Sequence, residues 1–217
     1  MSISVMFKML GEGAVVSLLI FAATLVFSLP LGLFISFGRI SKNPLLRFVT
    51  KFYISVLRGT PLMLQLMVIY FGPYYMFGIP NSTSYKFYAV AIGFILNYAA
   101  YFAEIYRGGI ESMPQGQYEA AKILGYSKGQ TFVRIILPQV IKRIIPSVTN
   151  EMITLVKDTS LAFTIGGIRE MFTVAKAIAA SQTNMLPFLF AGIFYYIFNL
   201  IVAFLMERVE KRLNYYR

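Results

Sequence analysis

Long apolar stretches alternate with short basic ones along this chain. No Asp, Glu, Lys or Arg occurs from Gly13 to Gly38, Gly59 to Tyr85, Phe87 to Ala103 or Ala177 to Met206. A helix that crosses a bilayer takes about 17–25 mostly apolar residues, so each run can supply one. The pattern predicts five spans, at about 12–38, 60–80, 86–105, 144–166 and 186–207. Glu151, Lys157 and Asp158 interrupt the fourth. The expected fold is an all-α integral membrane protein, a single transmembrane domain over 1–217 without internal repeat or low-complexity linker. The first apolar run exceeds a secretion signal's core of about 7–15 residues, and Arg39, Lys42 and Arg47 follow it, so it reads as an uncleaved span.

Between the spans, charge gives direction. Arg39, Lys42, Arg47, Lys51 and Arg58 follow span one. Arg107, Lys122, Lys128, Arg134, Lys142 and Arg143 follow span three, and Arg208, Lys211, Arg212 and Arg217 follow span five. With five spans these fifteen of the twenty basic residues lie on one side, which cationic loops mark as cytoplasmic. The expected topology is N-terminus outside and C-terminus in the cytoplasm, in a multi-pass protein of a bacterial-type inner membrane. Residues 73–85, with Pro73, Pro80, Asn81 and Ser82, read as an external turn. Residues 167–185 read as a second external segment, part of it an amphipathic helix at the interface. The net charge of +11 is therefore an orientation signal rather than a nucleic-acid footprint.

Composition removes several chemistries. Neither cysteine nor histidine is present, so disulfides, thiolate metal sites and the commonest general base are excluded. Glu104, Glu151 and Asp158 form no metal or nucleophile motif. The G-x4-G-K-[ST] phosphate loop is missing too, so the chain is read as no enzyme and ATP hydrolysis is expected elsewhere.

The insert 106–143 is too polar to cross a bilayer, yet Gln117 to Leu124 is rich in helix formers. Gly125 suits a helix C-terminus and Ser127 can cap a second helix running towards Pro138. Local physics leaves two readings open, a helix resting on headgroups or a docking element. Glu119, Ala120, Ala121 and Gly125, followed by Ile135, Leu137 and Pro138, give the spacing E-A-A-x3-G-x9-I-x-L-P. This resembles the cytoplasmic coupling loop, here about 108–140, of ATP-binding-cassette importer permeases. Leu57-Arg58-Gly59-Thr60-Pro61-Leu62-Met63-Leu64-Gln65, Asn150-Glu151 and Lys157-Asp158-Thr159-Ser160-Leu161-Ala162 resemble the polar amino acid uptake branch. Together the likeness covers roughly 10–217.

The resemblance implies the type I importer permease fold, five helices with a coupling helix. It also implies a translocation pathway shared by two permeases, whether identical or paralogous. Its partners would be ATPase subunits that hold ATP and Mg, and an extracytoplasmic amino-acid-binding protein. The chain itself would carry no cofactor. Cystine, glutamine, arginine, histidine and glutamate all remain open as cargo. A secondary carrier or passive channel subunit for small polar solutes is the competing class.

Candidate substrate contacts cluster in two spans. Glu151 lies about 12 Å into the fourth, at about 1.5 Å per residue. A carboxylate at mid-membrane costs about 2.5–3.5 kcal/mol on insertion scales and should face a cavity or a cation. Asn150, Thr154 and Asp158 are expected on its side of the helix, from offsets of three, four and seven. A substrate ammonium could answer Glu151, or the carboxylate could pair with Lys157 of an opposite protomer, with Arg107 nearer the inner surface. Thr60-Pro61 marks a helix start or break whose N–H groups could meet a carboxylate. Gln65 and Asn97 are either polar contacts for cargo or interhelical hydrogen bonds.

Overall fold

The computed structural model describes residues 2–213, so Arg217 lies outside the described residues. The described residues are mostly helical, with no strand among them. In order it forms α1 (Ile3–Arg39), α2 (Pro44–Gly59), α3 (Leu62–Phe77), α4 (Thr83–Glu111), α5 (Gln115–Ile123), α6 (Lys128–Thr131), α7 (Leu137–Asp158), α8 (Met171–Gln182) and α9 (Leu186–Leu213). A π-helical stretch, Phe132–Ile136, joins α6 to α7, and a 3₁₀ stretch, Thr159–Ile165, extends α7.

Helices α1 and α4 make the spine. The buried face of α1 is a stripe of small residues about four apart: Gly13, Ser17, Thr24, Ser28, Gly32 and Ser36. Small residues let membrane helices approach closely, because lipid supplies no hydrophobic drive between them. The approach is tight at Gly32, where an added Cβ would stand 2.8 Å from Phe102 Cβ and 3.0 Å from the Ala99 carbonyl oxygen. Ser17, Thr24 and Ser36 donate their hydroxyls to carbonyls three or four residues back, which satisfies them without a partner helix. By contrast α9 buries only Pro187, Ala191 and Val202 among its residues and exposes a broad apolar surface.

Three helices, α1, α4 and α9, are long and apolar enough to span a bilayer, and the α2–α3 pair makes at most a fourth. The expected 60–80 span is thus shorter as a helix and is preceded by α2, bent by 108° from α3 at Thr60-Pro61. Pro61 lacks an N–H and disfavours helix at the preceding residue, and Thr60 is extended (φ −123°, ψ 149°). The expected fourth span falls outside the set because α7 carries Lys142, Arg143, Glu151, Lys157 and Asp158 beside its apolar face.

The helix capped by Ser127 runs towards Pro138, as expected, and continues through the π turn into α7. Proline removes one hydrogen bond and crowds the carbonyl four residues back, and the Leu137 N–H donates instead to the Phe132 carbonyl, five back. Helix α8, within the segment read as external, packs against α1 and α9, with Met171, Val174, Ala175 and Ile178 on Met6, Leu10 and Ala191. Its N-terminus is capped by Glu170, 0% exposed, whose carboxylate accepts from the Phe172 N–H at 2.7 Å and from the Thr173 N–H at 2.6 Å.

Candidate functional site

The α2–α3 break faces a cleft of about 360 Å³ lined by Thr60, Pro61, Leu62, Asn97, Tyr98, Tyr101, Glu151, Thr154, Asp158 and Leu161. It joins three elements: the break, the middle of α4, and the second half of α7 with its 3₁₀ extension. The break is held open by two amides. Gln65 Nε2 donates to the Leu57 carbonyl (2.9 Å), the Thr60 carbonyl (3.0 Å) and Thr60 Oγ1 (2.8 Å). Asn97 Nδ2 donates to the Leu57 carbonyl (3.0 Å) and to Gln65 Oε1 (2.9 Å). These bonds satisfy carbonyls that a helix ending at Gly59 would leave open. Helix α3 starts with no side-chain cap, so its first N–H groups remain available.

On the facing wall, Tyr98 donates its hydroxyl to Asp158 Oδ2 at 2.8 Å and fixes that carboxylate. Glu151, half-buried, makes no hydrogen bond or ion pair among the described residues. Arg58, on the last turn of α2, holds its guanidinium 5.1 Å from the centre of the Tyr101 ring, a cation–π distance, and its charge acts on Glu151. The cleft therefore presents carboxylates and free N–H groups around an aromatic wall, with Arg58 stacked on the Tyr101 ring of that wall. That set suits a small zwitterion.

Of the residues singled out in sequence, Thr60, Asn97, Glu151, Thr154 and Asp158 come together in this cleft. Gln65 stands behind it as a brace of the break. Asn150 does not line the cleft, since a neighbour of Glu151 on a helix is turned by about 100°; it is exposed on another side of α7. Arg107 is taken up by Glu104 and Glu111 on its own helix. Tyr98, Tyr101 and Arg58 were not singled out. Tyr101 lies four residues after Asn97 and three after Tyr98 in the charge-free run 87–103, which is the signal that could have found them.

At the other end lies an elbow. Helix α5 ends in a Schellman motif: the Tyr126 N–H donates to the Ala121 carbonyl at 3.0 Å and the Gly125 N–H to the Lys122 carbonyl at 3.1 Å, with Gly125 at φ +78°. Ser127 and Gln130 then form a reciprocal capping box for α6. Glu119 and Ala120 are exposed, as are Ile123 (86%) and Leu124 at the tip. Ala121 is 1% exposed and packs inside this chain, so its small size serves the elbow itself.

Residues 28–215 match the family described as binding-protein-dependent transport system inner membrane component. The arginine transport system permease protein ArtQ of Bacillus subtilis is 38% identical over 203 residues, covering 94% of this chain and 91% of ArtQ. The octopine transport system permease protein OccM of Rhizobium radiobacter is 40% identical over 194 residues, covering 85% of this chain and 79% of OccM. In the crystal structure of an amino acid ABC transporter with histidines, one chain superposes with a TM-score of 0.86 at 30% identity, covering 95% of this chain and 94% of that one. With the match running over most of its length, the chain belongs to the binding-protein-dependent transport system inner membrane components.

Proposed function

We propose that this chain is the membrane-spanning permease of an ATP-driven amino acid importer and forms the translocation pathway with a second permease. The observation that carries this reading is the cleft at the broken α2–α3 helix, where Glu151, Asp158 and the open N–H groups of α3 border a volume of about 360 Å³ and Arg58 stacks on its Tyr101 wall. An amino acid would set its carboxylate towards the N–H groups, and a basic one would set its side-chain cation towards Glu151. In the five-crossing arrangement, α7 and its 3₁₀ extension complete the set, with the polar side of α7 turned to the pathway instead of lipid. The basic segments then lie in the cytoplasm, the C-terminus is inside and the N-terminus outside. Glu119, Ala120 and Gly125 present the elbow to an ATPase subunit that holds ATP and Mg, and an external binding protein delivers cargo. ArtQ, named for arginine, and OccM, named for octopine, support a cationic or neutral amino acid or a derivative as cargo.

The test is Glu151→Gln in membrane vesicles containing the assembled transporter. Uptake of a basic amino acid is expected to fall by about tenfold, the loss of about 1.4 kcal/mol of charge-assisted contact, and that of a neutral one by less than threefold. Equal loss for both, or none, removes Glu151 as the ammonium ligand. Uptake that proceeds without ATP would favour a carrier or passive channel.

A further inference from the structure

Helix α2 carries three distinct faces. The first holds Tyr53 and Ile54 against the spine: the Tyr53 hydroxyl donates to the Leu96 carbonyl at 2.6 Å, and Ile54 packs on Ala100 and Ala103. Its start is clamped as well, since a Cβ on Gly38 would stand 2.6 Å from Thr50 Cγ2. The second face is apolar and uncovered. Leu45, Phe48, Val49, Phe52 and Val56 recur at spacings of three and four, and Phe52 is 63% exposed. The third is cationic, with Arg47 and Lys51 four residues apart and Arg58 two turns further on.

The last two faces meet in a cleft of about 510 Å³ lined by Arg39, Pro44, Arg47, Phe48 and Lys51. Arg39 feels the charge of Glu104 on α4, but no Asp or Glu occurs in the sequence between Glu12 and Glu104. Arg47 and Lys51 have no acidic partner among the described residues. The helix also turns 108° away from α3, so the two do not form one straight crossing. An apolar stripe flanked by cations on such a helix is the arrangement that sits at a charged lipid interface.

We propose that the Arg39–Arg47–Lys51 cleft binds the phosphate headgroup of an anionic phospholipid, whose acyl chains lie along Phe48, Phe52 and Val56. Assigning that lipid to the inner leaflet rests on the orientation proposed above; the binding itself does not. The charge complementarity favours an anionic lipid over a second copy of this chain, which would bring the same cations to the contact.

The experiment uses the full chain, delipidated in neutral detergent and followed by native mass spectrometry. It is titrated separately with phosphatidylglycerol, phosphatidylcholine and inorganic phosphate. Phosphatidylglycerol is expected to bind at least tenfold more tightly than phosphatidylcholine. The variant R47A/K51A should lose about 30-fold in that binding, from about fivefold per basic residue removed near a lipid surface. R47K/K51R, with the same charge, should keep the preference, and a K122A/K128A variant on the elbow should keep it too. Equal binding of the two lipids, or an unchanged preference in R47A/K51A, overturns the proposal. Inorganic phosphate that displaces the lipid at equal concentration makes this a free-anion site and overturns it as well. So does a change in oligomeric mass confined to R47A/K51A, which would put a second copy on this face. Orientation is read separately: the chain has no cysteine, so Ser41→Cys in intact cells reports which side it faces through an impermeant maleimide.

Discussion

Replacing Gln65 and Asn97 by leucine, singly and together, probes how the broken helix is held. Asn97→Leu removes two interhelical hydrogen bonds, to the Leu57 carbonyl and to Gln65 Oε1. Gln65→Leu removes four, three of them onto the last turn of α2 and Thr60. Hydrogen bonds between membrane helices are worth about 0.6 kcal/mol on average and up to about 1.7. Asn97→Leu should therefore cost about 1–3 kcal/mol and Gln65→Leu about 2–4 kcal/mol. The two share one bond and one acceptor, so the double variant should fall short of the sum by about 1 kcal/mol. Reversible unfolding in mixed micelles, with the unfolded fraction read by circular dichroism, supplies all three values. Additivity within about 0.3 kcal/mol, or single losses below about 0.5 kcal/mol, would refute the claim that these amides brace the break.

Other perturbations separate packing from coupling. Gly32→Ala meets backbone of α4 and should cost about 3 kcal/mol; Gly109→Ala meets Ile144 Cγ2 (2.3 Å), a branch methyl fixed on Cβ, and should cost about 2–3 kcal/mol, relieved in part by Ile144→Ala, which removes that methyl, in the same unfolding assay. Glu170→Ala should lose about 2–4 kcal/mol by uncapping α8 and stranding the Thr173 hydroxyl, which donates to Glu170 at 2.5 Å; Glu170→Gln should recover part of it. Gly125→Ala has open space but a φ of +78°, so about 1–2 kcal/mol of strain is expected. Gly125→Arg should still insert normally in membrane fractions while abolishing transport-linked ATPase stimulation; unchanged uptake would count against the docking role.

The parts of the fold that were legible in sequence are those governed by a single solvent. The first and last spans, α1 and α9, declare themselves because long runs without a charge admit only one state in lipid. Helix α2 was hidden because Arg47, Lys51 and Arg58 read as loop charges, while Leu45, Phe48, Val49 and Phe52 at helical spacing went unweighed. The π turn is set by how a continuing helix accommodates Pro138, and proline equally well announces a stop. In the site, Thr60, Glu151 and Asp158 stood out as polar residues in apolar runs. Their convergence with Tyr98 and Tyr101 depends on how α4 crosses the break, which no local pattern encodes. The small-residue stripe from Gly13 to Ser36 was readable at four-residue spacing, though its partner helix was not.

Reconstitution tests the transport reading most directly. Proteoliposomes would hold this chain with its ATPase, and the binding protein and a radiolabelled basic amino acid would be supplied outside. Accumulation is expected only with ATP enclosed on the ATPase side, and Gly125→Arg should abolish it while the complex stays intact in the membrane. Equal accumulation without nucleotide, or full activity in the Gly125→Arg vesicles, would contradict it.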